Sequence, residues 1–159
     1  MKEKLLLVSV AVVYRRRNDT VEWFLVKPGE ESDWEFPRTV VRKGESSVRA
    51  AIRMMAEQAG MKAKVLEEVG RSGGAVRLKG KMVSQRFIYY LMALRNSGEI
   101  LEFVETEWLD YSRAAKRIKS KRDSGILRQA RDMLRELDRQ RAKRRKEREK
   151  MEAELGGVA

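Results

Sequence analysis

The chain has 159 residues, about the length of one domain, and its 42% of hydrophobic residues can form a buried core despite a charged fraction of 38%. It contains neither cysteine nor histidine, which excludes disulfides, thiolate metal sites and any catalytic site built on an imidazole base. The net charge is +12, and residues 112–150 hold 17 Lys and Arg against 6 Asp and Glu, so the excess lies almost entirely in the C-terminal part.

The N-terminal segment predicts a first β-strand. Its positive flank and short apolar run are followed by three arginines, without the small-residue cleavage site of a signal peptide. No stretch approaches the roughly 18 apolar residues that a spanning helix needs. We therefore expect no membrane association and an intracellular, cytoplasmic location, with an organelle matrix as the other option.

The first half of the chain predicts a hairpin and then a helix. Residues 5–14 and 21–26 are rich in β-branched and aromatic residues and flank the turn signal Asn18-Asp19. Residues 28–33 and 38–45 are predicted loops around a short extended piece at 34–37. A helix follows, with Ser46 or Ser47 as its N-cap and Gly60 as its C-terminal cap. Its predicted apolar face consists of Val48, Ala51, Ile52, Met55, Ala56 and Ala59.

The second half predicts strands followed by helices. The strands are expected at 65–70, 75–78, 83–93 and 106–108, with turns at Gly73-Gly74 and at residues 79–81. Helical spacing resumes at 111–118 and at 124–137, where the apolar stripe consists of Ile126, Ala130, Met133, Leu134 and Leu137. Residues 139–149 are nearly all charged, which is typical of a solvent-exposed helix or of a segment that orders only on a partner.

Residues 36–61 resemble the Nudix box of the MutT-like superfamily. The family pattern is G-x5-E-x7-R-E-U-x-E-E-x-G-U, with U a bulky aliphatic residue, and the matching residues here are Gly44, Glu45, Ser46, Ala50, Ala51, Arg53, Glu57 and Gly60. Residues 9–14 and 24–26 are similar to the opening hairpin of the family. Residues 105–109, with Ala114 and Ala115, resemble its closing E-x-x-W-L strand and helix. The pattern looks nearest to that of the dinucleoside polyphosphate hydrolases.

This resemblance implies an α/β fold, namely a Nudix-type α/β/α sandwich with a mixed sheet and a long basic C-terminal helix. The implied division is a Nudix-like domain at residues 1–120 and a basic helical extension at 121–159. In family enzymes the box glutamates hold Mg²⁺ or Mn²⁺ on a phosphoanhydride, and water is the nucleophile.

The departures from the box pattern fall on the metal-binding positions. Positions 54, 57 and 58 are spaced to share one helix face, but here they are Met54, Glu57 and Gln58, and a thioether is a poor ligand for a hard cation. Glu45 is the remaining box carboxylate, and Thr39 replaces the first glycine of the pattern.

Two interpretations of these departures from the box pattern remain open. In the favoured one the chain is a catalytically impaired pseudoenzyme that needs no cofactor, although it could still bind a nucleotide. In the other, a weak Mg²⁺- or Mn²⁺-dependent hydrolase acts on nucleoside diphosphate-linked or dinucleoside polyphosphate substrates. Its catalytic residues would be Glu57, Glu45 and Arg53, and its metal ligands Glu57, Glu45 and Gln58. A further acceptor would come from Glu102, Glu105 or Glu107.

Several of these residues also have a purely structural explanation. Arg53 could only brace the loop by pairing with Glu45 or Glu57. The simplest interpretation of Met54 and Met55 is that their side chains pack in the core or line a cleft. Three aromatic residues are expected in the core more often than stacked on a base, and these are Trp34, Phe36 and Tyr89. Trp108 is assigned to the core, and the arginines at 15–17 are either phosphate contacts or a soluble turn.

The C-terminal segment predicts the partner. Its cations surround the whole helix without a large apolar face, which favours RNA or a ribonucleoprotein particle over a membrane surface. Inactive Nudix-fold proteins are known as ribosomal components, including a mitochondrial large-subunit protein, so the resemblance implies ribosome association. A solvated helix face and a coiled-coil strand are the alternatives. The predicted RNA-binding residues are Arg139, Arg141, Lys143, Arg144, Arg145, Lys146, Arg148 and Lys150.

Overall fold

The computed structural model describes residues 5–98, 103 and 105–157. They form six strands and three helices. In chain order these are β1 (Leu5–Arg17), β2 (Thr20–Lys27), β3 (Arg38–Val40), α1 (Ser47–Ala59), β4 (Met61–Leu78), β5 (Lys81–Ser97), β6 (Glu105–Asp110), α2 (Tyr111–Arg117) and α3 (Lys121–Gly156).

The six strands form one mixed sheet. Its order is β4-β5-β1-β2-β6, and β3 pairs with the N-terminal half of β1. The pairing of β1 with β5 is parallel, whereas the other pairings are antiparallel. Strand β1 lies in the centre and is buried on both faces over most of its length, as its continuous apolar run predicts.

Each face of the sheet is covered by helices. Alternate residues of β2 point to opposite faces, so Trp23 and Leu25 pack under α2 and α3 whereas Phe24 and Val26 pack under α1. Two hydrophobic clusters result, one on each side of the sheet. The predicted Nudix-type α/β/α sandwich with a mixed sheet and a long C-terminal helix is confirmed.

Helix α1 has the predicted caps but a rotated buried face. The Ser46 side chain accepts a hydrogen bond from the backbone N–H of Arg49, and Gly60 ends the helix in the left-handed region at φ 60°. The predicted apolar face was wrong at Val48, Ile52 and Ala56, which are exposed, the first two at 37% and 43%. The true buried face is turned towards the sheet and includes Ala50 and Met54 instead.

The predicted turn at Gly73-Gly74 is also wrong. Strand β4 runs through both glycines, which pair with Arg86 and Gln85 of β5. The side chain of Arg122 packs beside Gly74, and its Nη2 donates a hydrogen bond to the carbonyl of Gly73 at 3.0 Å. Residues 38–40, which were expected in a loop, instead form strand β3.

Helix α3 is longer than the periodicity predicts. It contains 36 residues, about 54 Å at 1.5 Å per residue, and it includes the charged segment at 139–149 as continuous helix. Its first turns pack on the sheet through Ile126, Leu127, Ala130 and Leu134. Among the described residues, no helix is long and apolar enough to cross a membrane.

Candidate functional site

The two carboxylates retained in the box both contact Arg53. Its Nε lies 2.7 Å from Oε2 of Glu45 and its Nη2 lies 3.0 Å from Oε1, which makes a two-pronged ion pair. Its Nη1 lies 3.6 Å from Oε2 of Glu57. Arg42 adds a second cation, with its Nη2 3.9 Å from the same Glu57 oxygen. The guanidinium of Arg53 therefore lies between the two anions that a metal site would use.

The ion pair holds Glu45 in its charged form. The hydrogen bond from Arg53 lowers the pKa of Glu45 from its ordinary 4.5 to about 2, and the backbone N–H of Arg42, 3.1 Å away, acts in the same direction. The loop closes through a hydrogen bond from the Glu45 N–H to the Arg42 carbonyl, and Gly44 supplies the required φ of +78°. Thr39, in place of the first glycine of the pattern, lies in β3 opposite Ser9.

The three box positions on α1 do not converge on one point. Met54 is completely buried in the cluster between α1 and the sheet, beside Met55, whereas the Glu57 side chain is 54% exposed. Gln58 is half-buried. Among the described residues, no three acidic side chains lie close enough together to hold a metal ion. A buried thioether and two carboxylates paired with arginine do not fit the oxygen-rich shell that Mg²⁺ requires.

The expected additional carboxylates lie elsewhere. Glu107 of β6 pairs with Leu25 and shares the sheet face of Leu109, which α2 and α3 cover. Its Oε2 is 3.5 Å from Nη2 of Arg117. Glu105 pairs with Lys27 at the start of the same strand, and Glu102 lies outside the described residues. Glu107 therefore lies on the opposite face of the sheet from the box helix.

The aromatic residues considered for base stacking are mostly core residues. Phe36 and Tyr89 are completely buried in the cluster under α3, which leaves no free ring face for a base. Trp34 is half-buried, and the guanidinium of Arg117 lies 5.4 Å from its ring centre. Trp108 was assigned to the core but is only partly buried: it packs on Phe24 with ring centres 4.9 Å apart, and the guanidinium of Arg15 lies 4.5 Å from its ring centre.

The eight predicted RNA-binding cations are all exposed on the second half of α3. Sequence analysis missed how this half is attached to the domain. Nη2 of Arg16, on the β1–β2 hairpin, lies 2.7 Å from both carboxylate oxygens of Asp138. These two residues are 122 positions apart, and neither hydropathy nor charge spacing predicts their contact.

Comparison with known families decides the classification. The profile of the NUDIX domain matches residues 5–130. The chain belongs to the NUDIX domain family. Similar solved structures include a Caenorhabditis elegans Ap4A hydrolase in a binary complex, 23% identical, with a TM-score of 0.68 over 81% of this chain and 97% of that one.

Two other solved structures are also similar. The NUDIX domain of Shewanella oneidensis NrtR, complexed with ADP ribose, is 18% identical, with a TM-score of 0.65 over 84% of this chain and 90% of that one. The Escherichia coli ORF135 protein is 22% identical, with a TM-score of 0.62 over 84% of this chain and 92% of that one. No curated protein matches the chain. At these identities the likeness establishes the NUDIX fold and not a substrate.

Proposed function

We propose that this NUDIX-domain chain is catalytically impaired and acts as an RNA- or ribonucleoprotein-binding module through the second half of α3. The main support is the form of that helix, because eight exposed cations extend from the folded domain on one continuous element. Such a cationic rod neutralises backbone phosphates and releases their counterions, which is the main source of affinity for RNA.

The geometry of the box supports the loss of catalysis. Hydrolysis of a phosphoanhydride needs a cation that neutralises charge on the phosphates. In this chain Arg53 and Arg42 already pair with the two box carboxylates, and Met54 fills a core position. The box therefore serves as a structural brace between the loop and α1.

The chemistry of α3 favours RNA over a membrane. Beyond Leu137 the exposed large apolar residues of the helix are Met151 and Leu155, which are too few for the apolar face of an interfacial helix. A ribosome or another RNA-protein particle in the cytoplasm is the narrower form of this proposal.

The division into a domain at residues 1–120 and an extension at 121–159 also stays a prediction. The first turns of α3 pack on the sheet and so connect the extension to the domain.

The second candidate is a weak pyrophosphohydrolase, and family membership is the observation that favours it. The similar structures include an Ap4A hydrolase and a NUDIX domain complexed with ADP ribose, so a nucleotide with linked phosphates would be the ligand. This hypothesis requires that Glu57 exchange its arginine partners for a metal ion when substrate binds.

The binding proposal is tested with a fluorescent single-stranded RNA of mixed sequence and a chain truncated after Gln140. This truncation keeps Asp138 and its contact with Arg16, and a thermal melt verifies that the domain remains folded. We expect the truncation to weaken RNA binding at least tenfold and to flatten its salt dependence. An affinity that the truncation leaves unchanged would refute the role of α3.

The catalytic proposal needs a separate assay. Hydrolysis of nucleoside di- and triphosphates, dinucleoside polyphosphates and capped RNA is measured with Mg²⁺ or Mn²⁺ by chromatographic separation of the nucleotide products, for the intact chain and for Glu57→Gln. We expect no turnover above that of the variant. Metal-dependent turnover that Glu57→Gln abolishes would establish the hydrolase instead.

A further inference from the structure

A basic groove lies between the β1–β2 hairpin and the second half of α3. Its volume is about 620 Å³, and its charged lining consists of Arg16 and Asp138 together with Arg141, Arg144, Arg145 and Arg148. Five of these six side chains carry a positive charge. The single carboxylate, on Asp138, is already paired with Arg16 through both oxygens, so the net charge of the lining is strongly positive.

Helical spacing explains why these arginines share one face. They follow Leu134 at intervals of three and four residues, so they continue the stripe that packs on the sheet in the first half of α3. Where that stripe leaves the sheet, its residues change from aliphatic to arginine. The lysines lie on the other side of the helix, since Lys143, Lys146 and Lys150 are also spaced by three and four residues but are about half a turn away from the arginines.

We propose that this groove clamps the phosphate backbone of RNA between the hairpin and the arginine face of α3, whereas the lysine face contributes only general attraction. The proposal rests on the RNA-binding function above. Arginine suits the role because its planar guanidinium donates two parallel hydrogen bonds to one phosphate, whereas a lysine ammonium acts as a point charge.

The size and lining of the groove indicate how RNA would lie in it. From Arg141 to Arg148 the helix rises about 10 Å, so arginines at the two ends of this face can contact different phosphates of one strand. The lining residues described above include no aromatic ring on which a base could stack. We therefore expect backbone contacts that are strongly salt-dependent and indifferent to base sequence.

The test compares two triple variants that remove the same charge from the same helix. One is Arg141→Gln, Arg145→Gln and Arg148→Gln, and the matched control is Lys143→Gln, Lys146→Gln and Lys150→Gln. Glutamine has nearly the same helix propensity as either cation, and circular dichroism verifies the helix content of both variants. The probe is a fluorescent 20-nucleotide RNA of mixed sequence, titrated at several salt concentrations between 50 and 200 mM.

We expect the arginine variant to raise the Kd at least thirtyfold and to lower the slope of log K against log salt by about 2, as expected for three lost contacts to a single strand. The lysine variant should raise the Kd less than fivefold. If the two variants raised the Kd equally, RNA would bind the tail by charge alone. That result would overturn the proposed role of the groove and leave the proposed function intact. If neither variant nor the truncation after Gln140 changed the Kd, the proposed function would fail as well.

A single substitution outside α3 tests the second wall of the groove. Arg16→Gln leaves every cation of the helix in place. It is made in a parent chain that carries Asp138→Asn, so that it frees no carboxylate in the groove and a purely tail-borne interaction would not respond to it. We expect a Kd at least threefold higher than that of the parent chain, and Arg77→Gln, an exposed arginine of β4, serves as the control. A Kd that Arg16→Gln leaves unchanged would exclude the hairpin from the binding site.

Discussion

Arg38 of β3 and Asp123 of α3 form an ion pair that fastens the start of the long helix to the sheet. Nη2 of the arginine lies 2.8 Å from Oδ2 of the aspartate, and Asp123 is only 3% exposed. The hydroxyl of Tyr89 lies 3.5 Å from the other carboxylate oxygen. A charge this deeply buried must be paired, and the pair joins the first turn of α3 to the sheet.

Loss of this pair is expected to destabilise the domain. Asp123→Asn removes the buried charge of the pair while Arg38 keeps its contact with Glu35, and we expect the free energy of unfolding to fall by about 2 kcal/mol. Urea unfolding measures the change. Glu68→Gln removes one partner of the exposed Glu68–Arg71 pair and should lower the free energy by less than about 1 kcal/mol. Similar losses in the two variants would contradict the anchoring role of Asp123.

The second carboxylate beside Arg38 makes stability depend on pH. Burial raises the pKa of Glu35 above its ordinary 4.5, and this effect exceeds the opposing attraction of Arg38, whose Nε is 3.1 Å away. A raised pKa means that the folded state binds the proton more tightly. The stabilisation from this proton is therefore complete below pH 4.5 and is lost as the pH rises through the folded-state pKa.

Glu35→Gln should therefore become more stable, relative to the parent chain, as the pH rises from 3.5 to 7. The neutral amide avoids the unfavourable burial of an ionised carboxylate. Urea unfolding across this range measures the difference, and Glu31→Gln, an exposed residue in the same loop, is the control. A stability difference that shrinks with rising pH would show that attraction to Arg38 dominates.

Local patterns in the sequence predict those parts of the fold that depend only on neighbouring residues. The caps of α1, the turn at Asn18-Asp19 and the NUDIX box follow from neighbouring residues alone. The apolar face of α1 was wrong because several apolar stripes fit the same helix, and the one that packs is chosen by contact with the sheet. Strand β4 crosses Gly73-Gly74 because pairing with β5 supplies hydrogen bonds that glycine propensity does not reveal.

The candidate sites could be predicted only in part. The sequence predicts which box carboxylates are missing and where the cations of the tail lie. Two contacts could not be predicted, because they join residues far apart in the sequence and no local pattern indicates either pair. Arg16 and Asp138 are 122 positions apart, and Arg38 and Asp123 are 85 positions apart. These contacts create the groove and the anchor of α3. The sequence therefore could not predict the groove or the anchor of α3, because both depend on contacts that form only in the folded chain.

Arg53 should control the ionisation of Glu45. In Arg53→Gln the two-pronged ion pair is lost, so the pKa of Glu45 should rise from about 2 towards 4.5, while the backbone N–H of Arg42 retains part of the effect. In the parent chain the pair stabilises the fold above pH 4.5, and this contribution is lost as the pH falls through about 2. NMR titration of the Glu45 carboxyl carbon measures the shift. Arg49→Gln, an exposed residue of α1, is the control, and a pKa still near 2 in Arg53→Gln would exclude the guanidinium as the cause.

Restoring the box carboxylate at position 54 should damage the domain without creating a metal site. Met54 is completely buried against the sheet, so Met54→Glu places an unpaired carboxylate in the core, and we expect a loss of about 3–5 kcal/mol. Met54→Leu conserves volume and should lower the free energy of unfolding by less than about 1.5 kcal/mol. Thermal melts with and without 10 mM Mg²⁺, an amount chosen to saturate a weak site at roughly millimolar affinity, compare the two variants. If Mg²⁺ stabilised Met54→Glu but not Met54→Leu, the glutamate would reach the box carboxylates, and the proposed loss of catalysis would come from this one substitution rather than from the arginine pairs.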